Sequence, residues 1–367
     1  MNVDSLFEVA ESPIEAAAFR SRARDLKVGL CFSGDFPLEV LDAFHLHAVC
    51  LPEVPREVNP RADALIQAYT CTFVRSCAEA VLDGSLHIGL VAGVSGCDAL
   101  TGLPGILEVE GGAPPIAVLR LPIALGTPAA LRQADRALLE FCRETESRLG
   151  RPLDMVELEA ATGRRQAIRD RVLAEFDALA EGKGSQMRAY SWAIASRVLD
   201  PDEFERLAAV EDTSAAEARP GGVPILLSGS VLPSIQVIVD LEEMGVRVAV
   251  DDTDTGVRTV SRRVGPRNGN LLGAVASSLV VKRMNGPERF GNGGRVASVV
   301  ARAQAGGVKA ALLLLHKFCD PHAFEAPKLA GALRKAGIPT LVVEVDRQAG
   351  LGSRDRTSVE ALLERLS

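Results

Sequence analysis

The chain is predicted to be an α/β protein with two parallel-sheet lobes and a helical region inserted between them, on three observations. Short apolar runs alternate with stretches of helical period at both ends of the chain, the rhythm of strands joined by crossover helices. Those runs are continuous rather than alternating, as in strands covered on both faces. The length, 367 residues, exceeds what one hydrophobic core normally organises. The expected division is an N-terminal lobe over 1–127, a helical region and linker over 128–220, and a C-terminal lobe over 221–367.

In the first lobe, strands are expected at Lys27–Ser33, His47–Leu51, His87–Ala92 and Ile116–Ile123, with helices around Leu38–Leu46 and Phe73–Leu82. Pro128–Leu149, Leu153–Ala180 and Ser185–Leu199 carry apolar residues at helical spacing with Glu/Arg-rich opposite faces, the pattern of amphipathic helices. Glu211–Gly222 is small, polar and ends in Pro-Gly-Gly, and reads as the linker. Beyond it, strands are expected at Ile225–Ser228, Val246–Val250, Val308–Leu315 and Thr340–Val345. Helices are expected at Pro233–Met244, Leu271–Met284, Val296–Ala303, Ala326–Ala336 and Ser358–Leu366. The only repetition is this coarse duplication of the lobe.

The balance of 41 Lys+Arg against 48 Asp+Glu gives a net charge of −7, with no basic cluster to track a phosphate backbone. No apolar run reaches the ~18 residues of a membrane span, and the acidic start lacks the basic and apolar regions of a signal peptide. A cytoplasmic location follows as the expectation, with neither nucleic acid nor membrane as partner. Seven cysteines and five histidines without a CxxC pair exclude a disulfide framework and a local zinc or ferredoxin code.

Three cysteines fall where open parallel sheets gather ligand-binding residues, beyond the carboxyl ends of strands or at a helix start. They are Cys71 in YTCTFVRS, Cys97 in GVSGCD and Cys319 in HKFCDP. Each alone is equally at home as a small buried hydrophobe. Together, from separate loops, they could hold three irons of a cubane and leave the fourth open. Cys50, Cys77 and Cys142 read as core, and Cys31, at the end of the first strand, as cleft wall.

At this point the chain resembles the cluster-binding subunits of the 2-hydroxyacyl-CoA dehydratase and benzoyl-CoA reductase family, of the 2-hydroxyglutaryl-CoA dehydratase D-component type. The blocks that carry the resemblance are Cys31–Phe44, Ala62–Gly84, Gly96–Asp98, Gly245–Arg258 and Lys317–Asp346, spread in order over most of the chain. The resemblance implies two Rossmann-like lobes with a [4Fe–4S] cluster in the inter-lobe cleft, held by Cys71, Cys97 and Cys319. It implies an iron–sulfur subunit that eliminates water from an acyl-CoA thioester through a ketyl radical, its electron supplied by a separate ATP-hydrolysing iron–sulfur activator. Two alternatives accompany it: a benzoyl-CoA-reductase-like or other low-potential reductase, and a non-catalytic electron-transfer subunit. A homologous partner subunit or a self-dimer is implied as well. Gly34-Asp35 departs from the bulkier residues usual after the family's Cys-Ser pair.

Other residues carry weaker expectations, and no catalytic acid or base is assigned. Glu39 is either a cleft acid or a helix-start carboxylate. Arg75 either tunes the cluster, binds thioester or phosphate, or forms a surface ion pair, and Asp98 and Asp320 set the cysteine loops. Asp251-Asp252-Thr253-Asp254 reads as a strand-end turn rather than a Mg²⁺ site, and His316 as either a proton donor or a satisfied supporting histidine. The chain has no G-x-x-x-x-G-K-[ST] loop. The glycines of Phe290–Gly294 are a flexible turn rather than a nicotinamide fingerprint.

Overall fold

The computed structural model describes residues 4–52, 58–110, 113–213, 221–266, 269–284 and 294–366. Most of the expected linker (214–220) and the glycine cluster (290–293) lie outside the described residues.

Among the described residues, eight strands form two four-stranded sheets. The first contains β1 (Val28–Cys31), β2 (His47–Cys50), β3 (Ile88–Val94) and β4 (Ile116–Leu119), in the order β2-β1-β3-β4. The second contains β5 (Val223–Gly229), β6 (Val246–Asp252), β7 (Ala310–His316) and β8 (Thr340–Val345), in the order β6-β5-β7-β8. Every strand pair is parallel. The second sheet thus repeats the first, and the predicted pair of parallel-sheet lobes is present. β1 and β2 are buried at every residue, as continuous apolar runs require. β8 instead exposes Val342 and Glu344 beside buried Val343 and Val345. The fourth apolar run pairs only over Ile116–Leu119, short of Pro122, which has no N–H to donate to a ladder.

The middle of the chain is helical. Pro128–Leu149 opens on Thr127, whose hydroxyl accepts the Ala130 N–H, and closes on Gly150 at φ +66°. Met155–Ala180 opens on Asp154, which accepts the N–H groups of Val156 and Glu157. Arg165 fixes this long helix to the first lobe through a two-pronged bond to Asp42, with N···O distances of 2.8 and 3.0 Å. Two helices that precede β1, Leu6–Glu11 and Pro13–Ala23, were not expected, and the first packs on the helix Gln186–Ala195.

The apolar core crosses between lobes: one buried cluster includes Leu30 and Val91 of the first sheet with Ile225, Leu227 and Leu312 of the second. Polar ties accompany it. Glu39 of the first lobe binds Arg262 of the second through both carboxylate oxygens at 2.7 Å, and Arg347 reaches Asp63 at 3.0 Å.

Candidate functional site

In each sheet the strand order reverses between the first and third strands, and ligands of such folds bind outside that point. A single cavity of about 160 Å³ is lined by residues that follow all four of these strands: Phe32 and Ser33 after β1, Cys97 after β3, Ser230 and Val231 after β5, and Cys319 after β7. Two switch points therefore open onto one space.

The three expected cysteines all line this cavity, and each stands at the start of a helix. Cys71 precedes Thr72–Leu82, Cys97 precedes Asp98–Glu110, and Cys319 precedes Asp320–Lys335. Unpaired N–H groups at such a start favour a thiolate. The helix after Cys97 was not read from the sequence, since Gly102, Pro104 and Gly105 are poor helix formers.

The side chains do not assemble as the cluster expectation required. Cys71 and Cys319 are hydrogen-bonded to each other, and His322 Nδ1 lies 3.4 Å from Cys319 Sγ. Cys97 turns its sulfur onto its own helix, where it accepts the Leu100 N–H at 3.5 Å. Among the described residues, no group of three or more His, Cys, Asp or Glu side chains stands close enough to hold a metal ion. The expectation of a [4Fe–4S] cluster caged by Cys71, Cys97 and Cys319 is corrected accordingly. The ketyl elimination, the low-potential reductase and the electron-transfer subunit rested on that cage and are corrected with it.

The cavity instead presents a hydrogen-bonded thiol pair beside a histidine. The bond from Cys71 holds the Cys319 thiol down at about 4; burial opposes this and His322 assists it. His322 Nε2 lies 3.3 Å from Arg258 Nη2. His316 stands behind the pair: its Nε2 meets the Val231 carbonyl at 2.6 Å and so carries the proton, leaving Nδ1 to face the Thr72 hydroxyl at 3.5 Å.

The charged part of the wall was missed at the sequence level. Lys282 Nζ binds Asp35 at 2.8 Å, and Arg283 donates to the carbonyls of Ser95 and Pro122 at 2.7 and 3.1 Å. Asp254 also lines the cavity. Burial would raise its carboxyl, but Arg258 and then Lys282 hold it at about 2. One local signal was available, because His322 follows Cys319 by three residues on one helix and so shares its face. Lys282, Arg283 and Arg258 come from distant segments and carried no such sign. Phe318, directly before Cys319, adopts φ +63°, a rare conformation for a bulky residue.

Gly34 and Asp35, the departure noted above, belong to this wall. A Cβ on Gly34 would lie 2.4 Å from Thr259 Oγ1, so only glycine lets the β1 loop approach the second lobe that closely. Glu39 is no cleft acid: it is fully buried against Arg262. Arg75 is buried and paired with Asp63, away from the cavity wall. Asp98 and Asp320 are exposed. Asp251 builds the strand-end turn by accepting the N–H groups of Thr253 and Val257 and the Tyr190 hydroxyl, while Asp252 is held by Arg295 and Arg302.

Fold and cavity together define a two-lobed α/β protein with a ligand space between paired switch points. The family model described as 2-hydroxyglutaryl-CoA dehydratase, D-component, matches residues 34–366. The chain belongs to that family, whose description names a component of an enzyme. A (R)-phenyllactyl-CoA dehydratase beta subunit from Clostridium sporogenes is 24% identical over 161 residues. That stretch spans 43% of this chain and 42% of the relative, less than half of either. Among the described residues, no helix is long and apolar enough to cross a membrane.

Proposed function

We propose that the chain is a subunit of a 2-hydroxyacyl-CoA dehydratase-type lyase and that its inter-lobe cavity receives the acyl end of the thioester. The observation that carries this reading is the division of the cavity wall. Phe32, Phe73, Val74, Leu100 and Ile123 make the apolar part of the lining, while Arg258, Lys282 and Arg283, with Asp35 and Asp254, join Cys319 and His322 as its polar part. An acyl chain suits the first, and a thioester carbonyl with its neighbouring hydroxyl suits the second.

The chain's own residues account for binding and for holding a proton. Lys282 and Arg258 supply positive charge toward a carbonyl oxygen. The Cys319–His322 contact holds a proton between Sγ and Nδ1. Residues 1–127 and 221–367 act as the lobes that meet on the ligand, with 128–220 joining them. Family membership and the beta-subunit relative support a companion subunit; an ATP-hydrolysing activator is the third component of this reading.

Calorimetric titration of the purified chain with a 2-hydroxyacyl-CoA, coenzyme A and the free 2-hydroxy acid tests the proposal. The thioester is expected to bind at least tenfold more tightly than either fragment. Lys282→Gln is expected to weaken it about tenfold, roughly 1.4 kcal/mol. Equal affinity for coenzyme A and the thioester would overturn the reading. Affinity capture from an extract, with and without ATP, tests for the companion and the activator.

A further inference from the structure

A second, smaller crevice of about 40 Å³ lies where the first lobe, the long helix and the second lobe meet. Four guanidinium groups line it: Arg165 and Arg169 of the helix Met155–Ala180, Arg197 just beyond Gln186–Ala195, and Arg262 of the second lobe. Two of them are fully engaged. Arg165 holds both oxygens of Asp42 and the carbonyls of Ser196 and Leu199. Arg262 holds both oxygens of Glu39 and the Ser278 hydroxyl.

The other two are not. Arg169 comes no closer than 3.8 Å to Glu39, a carboxylate already held by Arg262. Its hydrogen bond goes to the neutral Gln166 at 3.1 Å. Arg197, 3% exposed, donates to Cys50 Sγ at 3.1 Å and to the Asp254 carbonyl at 3.3 Å. The Nε of each is buried without a hydrogen-bond partner among the described residues. A buried cation without a matched anion is costly. Arg197 has a partial match in the Cys50 sulfur, whose thiol the bond from Cys31 and then the charge of Arg197 pull down to about 6. The excess is therefore that of Arg169: burial, then repulsion from Arg262, pulls its guanidinium down to about 9.

We propose that this crevice binds a small inorganic oxyanion of the phosphate type, seated between Arg169 and Arg197. Such an anion offers separate oxygens to the two planar forks, so each guanidinium can make paired N–H···O bonds, a geometry a spherical chloride does not match. The space holds a few water-sized groups at ~10–15 Å³ each, enough for a four-oxygen anion and too little for a nucleotide or a coenzyme. Because its walls come from all three parts of the chain, the anion would clamp them together. The inference is independent of the acyl-thioester reading, since none of the four arginines lines the main cavity.

The test titrates the full chain with sodium phosphate and, at matched ionic strength, with sodium chloride. Phosphate is expected to bind at one site per chain, to raise the urea midpoint, and to slow alkylation of Cys50, read separately from the other cysteines by peptide mass spectrometry. Arg169→Gln is expected to cut phosphate affinity at least tenfold. In phosphate-free buffer the same variant should unfold at an equal or higher urea concentration than the parent, because burial and repulsion from Arg262 outweigh the attraction of Arg169 to Glu39. A merely structural Arg169 would instead give a less stable variant in both buffers, overturning the proposal. Unchanged phosphate affinity in Arg169→Gln, or protection of Cys50 by chloride equal to that by phosphate, would overturn it as well. So would protection of Cys50 by coenzyme A at lower concentration than by phosphate, which would assign the site to a coenzyme phosphate.

Discussion

Cys319 shows how neighbours that are distant in sequence set the chemistry of one atom. A hydrogen bond from Cys71, and then His322, draw the Cys319 thiol well below the usual thiol range, against its burial. Its alkylation by iodoacetamide is expected to stay nearly constant from pH 8 down to pH 5 and to fall only near about 4. His322→Ala and Cys71→Ala should each move that fall to higher pH, checked by mass-spectrometric labelling. Gly34→Ala, which forces a methyl group against Thr259, should weaken thioester binding several-fold while leaving helix content unchanged by circular dichroism. At this scale the three cysteines were legible because each stands in a short turn beside a strand or helix end. Which atoms they would touch was not, since Cys97 binding Leu100 and Cys71 binding Cys319 are matters of side-chain direction. The corrected metal cage has that origin: proximity of loops was readable, convergence of sulfurs was not.

Among the elements, the eight strands were legible because fully covered strands are apolar throughout, a signal that survives without tertiary context. The helix Asp98–Glu110 was hidden by Pro104 and two glycines, and its stability comes from burying Leu103 and Leu107 against the first lobe. Pro201–Thr213 was not expected as a helix, and its last turn takes in Glu211–Thr213, the expected start of the linker; Pro201 sits at its first turn, where a missing N–H costs nothing. Strand contact sets a sharper requirement at Gly229. A Cβ there would lie 2.5 Å from the Leu314 carbonyl oxygen of the adjoining strand. Gly229→Ala is therefore expected to cost about 1–3 kcal/mol or more by pushing β5 and β7 apart, measured as a lower urea midpoint. The conservative Gly34→Ala, which meets a side chain rather than backbone, should cost less.

Across the whole molecule the two lobes share one core and several buried ion pairs, so they are expected to unfold together. Fluorescence of Trp192, the single tryptophan, buried in the helical region, should report the same urea midpoint as far-ultraviolet circular dichroism. Glu39 is the tie whose loss shows most clearly. Burial would raise its carboxyl, but Arg262 and then Arg169 hold it at about 2, below the usual carboxylate value. The stability it contributes is therefore complete above about pH 4.5 and disappears as the pH falls toward about 2. Glu39→Gln should lose about 3–5 kcal/mol at pH 7, the usual cost of breaking a buried pair. It should also flatten the acid limb of the stability profile, followed by urea titration at pH 7 and pH 3.

From its sequence alone the chain determined its strands, the duplicated lobe, the family to which it belongs and the loops that would carry a site, because apolar periodicity and turn chemistry are local. Tertiary structure decided everything that depends on two distant segments meeting. It paired Glu39 with Arg262 across 223 positions, set Lys282 against Asp35, gathered four arginines around one crevice, and turned three nearby cysteines into a thiol pair and a separate helix cap. Charges and sulfurs act over a few ångströms, and only the folded chain sets distances that small.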